Sequence, residues 1–399
     1  MNKKEIIEFI NKKIIYLSII GWLGLAIFLI IFTIIKKNPY DFTVTMNYWG
    51  ASYKWIIGEA LSKTGATGGY LYFPQSAIIQ IPFALLPFRL AQVIWLILNT
   101  SLLALSCFFI IKLCKKVPKN ILYFFVSVIT IALSYDSLRN GQMNIIITVL
   151  IVFAAYYLAN RRYRTCIILC LLGTALKPHM IIPLLLVVGV YPKRCMLTAI
   201  IGIITLFLFP FLCQYPDYVI EQYKNTLTVL AGAQELGHST PWADLFGMLK
   251  LFGMNISPTW IYMISFATGI AIYFGSLLFF KKRQIIGSLL IMTLSVVFIL
   301  LFSGRTEMNT YCMIGPFMGA LIFASIYIDT GWTKWIYFLV SLICWFFIFA
   351  SHAICGKSIM PWTAPLAFTL FIIYTIIYLI PKINIDFFEK KYFSANLHK

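Results

Sequence analysis

Acidic side chains are scarce in this chain. Only 13 of its 399 residues are Asp or Glu, against 32 Lys and Arg, and charged residues of all kinds make up 11%. Soluble domains carry roughly 25% charged residues, so a chain this poor in charge does not present a water-facing surface all round. Several motifs are missing too. There is no DxD pair, no GxSxG elbow, no Walker glycine loop and no HExxH helix. A soluble nucleotide-sugar site built on an Asp-bound metal therefore has no support, and neither does a hydrolase nucleophile. The nine cysteines lie mostly inside apolar stretches without CxxC spacing, which indicates neither a zinc site nor a disulfide framework. The one conceivable bridge, Cys213 to Cys355, joins distant positions. No internal repeat and no low-complexity tract divides the chain.

What the chain has in abundance is apolar sequence, 61% by composition. Apolar runs recur along its whole length, and about 20 such residues in a helix cross the roughly 30 Å of membrane hydrocarbon. The expected fold class is an all-α polytopic membrane protein, one integral domain over residues 1–399. About twelve spans are expected, at 14–35, 89–113, 120–137, 143–160, 164–176, 178–191, 195–213, 258–280, 284–303, 309–328, 333–351 and 361–381. The first, Ile14 to Ile35, is too long for a signal-peptide core and is followed by Lys36-Lys37-Asn38-Pro39 rather than a small-residue cleavage site. It reads as a retained anchor.

Basic residues cluster in short loops: Lys112/Lys115/Lys116/Lys119, Arg161/Arg162/Arg164, Lys193/Arg194 and Lys281/Lys282/Arg283. With these spans all four loops fall on the side of both termini, which carry further lysines. The positive-inside rule then places both termini in the cytoplasm of a cell whose plasma (inner) membrane holds the chain. The net charge of +19 is thus explained by topology, and no nucleic-acid partner is expected.

Two connections on the other, extracytoplasmic side are long, about 36–88 and 214–257, and long loops tend to carry function. In the first, Trp49, Tyr53, Ile56, Ile57 and Ala60 recur at helical spacing while Asn47, Lys54 and Glu59 fall elsewhere on the wheel. That pattern predicts a helix lying in the membrane interface, broken by the glycine-rich run 65–69. Segments 164–176 and 178–191 are short for full spans. With Lys177-Pro178 at their junction they read as a broken pair, tolerable inside a bundle or beside a cavity.

Polar residues gather at the extracytoplasmic ends of the spans. Asp41 is a lone carboxylate just past the first span, followed by Tyr/Trp-rich sequence, where a reaction on a lipid-linked substrate would find it. Ser134 to Asn144 contains Asp136, Arg139, Gln142 and Asn144; the broken pair carries Lys177-Pro178-His179; and Ser303 to Asn309 contains Arg305 and Glu307. Arg139, Lys177 and Arg305 are three cations at one membrane boundary. Arginine holds phosphate oxygens through a planar fork and lysine acts as a point charge. Charges at such a boundary are costly to desolvate and tend to be functional. Alternatives stand beside these readings. Arg139 has Asp136 as a local partner and Arg305 has Glu307, whereas the sequence adjacent to Lys177 offers no acid. Asp41 as a solvated loop residue and His179 as a packing residue beside a proline kink are the corresponding alternatives for those two.

The order of these features resembles glycosyltransferase family 87. The resemblance rests on Asp41 after the first span, Tyr70-Leu71-Tyr72-Phe73-Pro74 leading to Pro82 and Pro87, then Trp95 and Asn99. It continues with Gly141-Gln142-Met143-Asn144, Ala175-Leu176-Lys177-Pro178, and a polar turn with Tyr311 before Gly315-Pro316. It covers most of residues 1–320. It implies a C-type glycosyltransferase (GT-C) membrane fold and a hexosyltransferase, mannosyltransferase-like, that draws on a polyprenyl-phosphate sugar donor. The acceptor is then a lipid or glycan hydroxyl at the extracytoplasmic face. In that setting Asp41 is the general base and the anomeric carbon inverts. Lys177, Arg139 and Arg305 hold the donor phosphate, and Gln142, Asn144, Tyr72, His179 and Glu307 contact sugar or acceptor, with no metal and no cofactor. A phosphate leaving group needs little acid assistance, so one base and a cation clamp suffice. Phe73-Pro74-Gln75 departs from the family's frequent Tyr-Pro-Pro and bears on substrate identity. Two other classes handle lipid-linked sugars. One is a transporter or flippase of lipid-linked sugars, which tends to show repeats and midplane charges. The other is an envelope polysaccharide polymerase or ligase, which needs basic residues in a late outer loop, where 214–257 has only Lys224 and Lys250.

Overall fold

The computed structural model describes residues 3–382 except 42, 62–69, 115–116, 240–241, 282, 305, 329–330 and 356–361. For 3–8, 10–11, 233–239, 280, 328 and 379–382 it describes the backbone alone. Among the described residues every regular element is helical. In chain order they are α1 (Lys3–Ile35), α2 (Thr45–Ile57), α3 (Pro74–Ile79), α4 (Ile81–Ala84), α5 (Phe88–Ile111), α6 (Lys119–Arg139) and α7 (Asn144–Ala159). There follow α8 (Tyr163–Leu176), α9 (Ile181–Val190), α10 (Pro192–Leu208), α11 (Pro216–Ser239), α12 (Leu245–Leu251), α13 (Pro258–Gly275) and α14 (Gln284–Phe302). The last are α15 (Gly315–Ile328), α16 (Thr333–Phe349), α17 (Ser351–Ile354) and α18 (Thr363–Lys382).

Seven stretches of the described residues are long and apolar enough to cross a membrane: 12–35, 88–111, 119–139, 192–212, 258–279, 284–302 and 308–327. Five shorter apolar helices, at 144–159, 163–176, 178–190, 333–349 and 363–378, take the remaining expected positions. The chain is therefore a helical, multi-pass membrane protein. Burial follows from where each helix sits. α14 and the 308–327 stretch are enclosed by other helices, whereas the windows of α1, α10 and α13 bury little of their apolar surface against protein. Ile20, Leu23 and Ile27 on α1 and Met263 and Phe266 on α13 are exposed. Side chains of this kind suit hydrocarbon and not water.

The interior is closed by small residues where helices cross. A Cβ on Gly319 of α15 would stand 2.9 Å from Val126 Cα of α6, and one on Gly315 would stand 3.1 Å from Thr130 Cα. Without a hydrophobic drive between helices in lipid, such close backbone approach is a main source of adhesion. Trp22 of α1 adds a polar tie by donating to Ser127 Oγ of α6 at 3.0 Å.

Several of the basic loops meet at one end of the bundle: Lys112 Nζ lies 6.0 Å from the Tyr156 ring centre, Arg194 lies 4.9 Å from the Tyr163 ring centre, and Tyr191 Oη donates to the Lys281 carbonyl at 3.4 Å. Gln284 donates to the Leu158 carbonyl there at 2.6 Å, joining α14 to the end of α7. The other end carries the long connections. The helix expected in the first of them exists as α2, ending at Gly58 in the left-handed conformation. Ala60 lies beyond it. Of the face that the spacing predicts, Tyr53, Ile56 and Ile57 are exposed, whereas Trp49 is half-buried and donates to the Leu86 carbonyl at 3.1 Å; Tyr48, Ala51, Ser52 and Trp55 pack inward with Asn47.

The second connection is largely helical. It contains the 24-residue α11, which lies across the first connection. Val219, Gln222 and Thr226, spaced at one helical face, are its buried side. Gln222 Oε1 accepts from the Leu61 amide at 2.9 Å and Tyr218 donates to the Glu59 carbonyl at 2.7 Å. The face is polar, so a search for apolar runs passes over it. All nine cysteines, Cys213 and Cys355 included, are free thiols.

Candidate functional site

The site is assembled around the turn between α6 and α7. Gly141 has φ +67°, and a Cβ there would fall 2.0 Å from Thr45 Oγ1. Glycine answers both constraints, the left-handed backbone and the close approach. Three distant parts of the chain hold this turn. Trp95 Nε1 donates to the Gly141 carbonyl at 3.0 Å. The Val44 amide and Thr43 Oγ1 donate to the Asn140 carbonyl at 3.0 and 3.1 Å. The Met143 amide donates to Tyr48 Oη at 3.2 Å. The turn thereby fixes Gln142 and Asn144, both buried.

Facing it is the break between α8 and α9. Proline at 178 lacks a backbone donor and restricts the residue before it to extended conformation. Lys177 accordingly has φ −147° and ψ 117°, and a single 3-10 turn over 178–180 follows before α9 begins. The Lys177 ammonium donates to Asn144 Oδ1. Asn144 Nδ2 in turn donates to Asn309 Oδ1 at 3.3 Å and Thr310 Oγ1 at 3.4 Å, and Asn309 Nδ2 donates to Glu307 Oε2 at 2.8 Å. A hydrogen-bonded row of four side chains thus connects a cation at residue 177 to a carboxylate at residue 307. Ser137 Oγ donates to the Asn309 carbonyl and holds the row against α6.

Two cavities open at this end. The smaller, of about 270 Å³, is lined by Tyr72, Gln142, Lys177, Pro178, His179, Thr310 and neighbours. The larger, of about 630 Å³, is lined by Asp136, Arg139, Asn140, Trp242, Asn309 and His352 among others. Thr306 and Glu307 line both. His179 is among the lining residues, and its Nε2 is buried with no hydrogen-bond partner among the described residues. Tyr72 packs edge-on against Tyr48 and Tyr70 at ring distances of 5.6 and 5.3 Å.

Residues 72, 142, 177, 179 and 307 are therefore brought together around one cavity, with Asn144 directly behind Lys177. Arg139 is not among them. It lines the larger cavity and pairs with Asp136 at 3.3 Å one turn earlier in α6. Arg305 lies outside the described residues. Asp41 is exposed, and its carboxylate Oδ1 accepts from Asn38 Nδ2 at 2.9 Å. It lines neither cavity, but its loop is pinned through residues 43 and 44 to Asn140 at the wall of the larger one. Lys36 Nζ donates to the Asp41 carbonyl at 3.0 Å. Burial, and next the nearby Arg139 charge, lower the Lys36 ammonium below its usual range, with Asp41 opposing them. Lys36, Arg139 and Asp41 thus share one electrostatic neighbourhood. Gln75, the departure noted in the sequence, faces no cavity. It is buried and donates to the Leu206 carbonyl at 3.0 Å and Tyr223 Oη at 2.8 Å, which ties α3 to α10 and α11.

Sequence reasoning did not single out Trp242, Thr306 or Thr310 as site residues, nor Tyr48, which holds the Met143 amide. Threonines and an isolated loop Trp carry no spacing signal, and only the approach of the 242–244 segment to residue 306 makes them neighbours.

Spans of this length, closing at one end on cavities lined with cations, carboxylates and amides, define a polytopic membrane protein with a polar site at one end of its bundle. Among known proteins, the family model for glycosyltransferase family 87 matches residues 70–304. That is more than half of the chain, and the chain belongs to this family. No curated protein and no solved structure matches it. The matched stretch contains Tyr72, Arg139, Gln142, Asn144, Lys177 and His179, while Asp41 and Glu307 fall outside it. Membership makes the chain a membrane glycosyltransferase, whose substrates are a sugar donor and an acceptor.

Proposed function

We propose that the protein moves a hexose, mannose-like, from a polyprenyl-phosphate donor to an acceptor hydroxyl at the extracytoplasmic face of the plasma membrane. The seven long and five shorter apolar helices then make twelve crossings of GT-C type with both termini inside. The observation that carries the reading is Lys177. It is a half-buried cation at a helix break, lining a cavity of one sugar's scale among Tyr72, Gln142 and His179. A phosphate oxygen entering that cavity meets a point charge already oriented by Asn144. Arg139, turned to Asp136 in the neighbouring cavity, is a weaker candidate for the same task.

In this mechanism Asp41 accepts the acceptor's hydroxyl proton as the acceptor oxygen bonds to C1 of the sugar. The bond from C1 to the phosphate oxygen breaks, its electron pair leaves with the polyprenyl phosphate, and the anomeric centre inverts. Glu307 supports a second reading of the base, because it is the carboxylate that lines both cavities. A base there meets a hydroxyl in one cavity as it faces a sugar in the other.

Membranes carrying wild type, Asp41→Asn or Glu307→Gln, given radiolabelled undecaprenyl-phosphate hexose, separate the two. General-base removal lowers transfer by on the order of 10²- to 10⁴-fold. The expected result is that loss for Asp41→Asn with donor binding intact. Unchanged transfer in Asp41→Asn with the loss in Glu307→Gln gives the base to Glu307. Passage of intact donor across the membrane, with no glycosidic bond formed, would show a transporter instead.

A further inference from the structure

The two adjoining cavities differ in charge, and that difference assigns them. The smaller contains the Lys177 ammonium, which offsets the Glu307 carboxylate that both cavities share. In the larger, the Arg139 guanidinium is spent on Asp136 at 3.3 Å, which leaves Glu307 as its uncompensated charge among the described residues. A phosphate is favoured in the first over the second. At about 630 Å³ the larger cavity lies within the range of roughly 300–1,000 Å³ usual for small-molecule sites.

Its walls suit a polyol. Asp136, Glu307 and Asn140 offer acceptors and an amide to hydroxyl groups, and Trp242 offers an aromatic body against which the apolar face of a sugar ring packs. Trp242 is also held rigidly. The Ala243 amide after it donates to the Thr306 carbonyl at 2.8 Å, and Tyr311 Oη donates to the Ala243 carbonyl at 2.9 Å. Asp244 Oδ1 accepts from the Gly247 amide at 2.8 Å to start α12. Gly247 lies so close that a Cβ on it would stand 2.0 Å from the Trp242 carbonyl oxygen. A platform fixed by such second-layer bonds presents its ring in one place.

We infer that the larger cavity is the acceptor subsite and that it takes an uncharged saccharide rather than an anionic lipid headgroup. Trp242 is its stacking platform and Glu307 the residue that turns an acceptor hydroxyl toward the smaller, donor cavity. This rests on the glycosyl-transfer reading above. It places two substrates on either side of a shared wall, Thr306 and Glu307, so that donor and acceptor meet there.

The test uses the full chain in membranes with undecaprenyl-phosphate [¹⁴C]hexose and two acceptor probes, octyl mannopyranoside (neutral saccharide) and phosphatidylinositol (anionic polyol). The expected result is preferred transfer to octyl mannopyranoside. Trp242→Ala should raise the KM for that probe about tenfold or more, with the donor KM unchanged, and Trp242→Phe should recover most of the loss. Asp136→Asn is a second variant, expected to raise the same KM by several fold. Preference for phosphatidylinositol would overturn the assignment. So would a donor KM that moves with the acceptor KM, or transfer to neither probe while endogenous acceptor is still labelled. Absence of any labelled product in the wild type would instead count against the glycosyl-transfer reading.

Discussion

Replacing Gly141 with alanine is the most quantitative probe of how this site is built. The new Cβ meets two separate costs. The first is conformational, because φ is +67° and the left-handed region costs a residue with a Cβ about 1–2 kcal/mol. The second is steric. The Cβ would lie 2.0 Å from Thr45 Oγ1 and 3.4 Å from Thr45 Cβ. Relief requires the Thr45 side chain to turn away, breaking its 3.0 Å hydrogen bond with Thr43, or the backbone to shift. Overpacking of this kind costs about 1–3 kcal/mol, for a total of about 2–5 kcal/mol. Thr45→Ala removes the obstructing oxygen and leaves φ untouched. Added to that background, Gly141→Ala should cost only the conformational 1–2 kcal/mol or so. The pair should therefore be coupled by more than about 1 kcal/mol, as contacting residues are. The assay is survival of detergent-solubilised protein after graded heating, read by size-exclusion chromatography for wild type, both single variants and the double. Equal losses on adding Gly141→Ala to either background would show that Thr45 is not the obstacle. No loss in either would show that the turn is not left-handed.

Two further outcomes follow from named contacts. Lys177→Met keeps the side chain's length and removes its charge. Charged hydrogen bonds contribute about 1.5–3 kcal/mol, so competition binding with undecaprenyl phosphate should show affinity falling about 10- to 100-fold; undiminished affinity would remove Lys177 from the phosphate site. Gly319→Leu drives a side chain into the Val126 backbone, 2.9 Å from its Cβ position, and should lower the midpoint of heat survival far more than Ala→Leu at an exposed helix position such as Ala271; an equal effect would mean that α6 and α15 are not in close contact.

Much of the fold was legible because span formation is local. The expected 89–113 and 120–137 correspond to α5 at 88–111 and α6 at 119–139, since an apolar run of that length has one low-energy state in hydrocarbon. The helix break at Lys177 was legible for a similar reason, as proline acts on its immediate neighbours. α11 was not. Its inward face is Val219, Gln222 and Thr226, two of three polar, and two of its ties to the first connection run to backbone groups, at Leu61 and Glu59. Arg139 shows the limit for single residues. Its charge placed it with Lys177, but one turn of helix separates it from Asp136, and the carboxylate and the direction of α6 turned it into the other cavity.

By itself the sequence determined that the chain is helical and membrane-embedded, and about where its long apolar helices lie. These follow from run length, charge spacing and proline, each read within a turn or two of helix. Only the tertiary structure decided that Lys177, Asn144, Asn309 and Glu307 form one hydrogen-bonded row. It alone placed Trp242 beside Thr306, and made a single carboxylate the wall between two cavities. Apart from Glu307 and Asn309, neighbours in one turn, these residues are separated by tens to more than a hundred positions, and their meeting depends on how the helices pack. The propensities that form each helix say nothing about which of its ends will face another's.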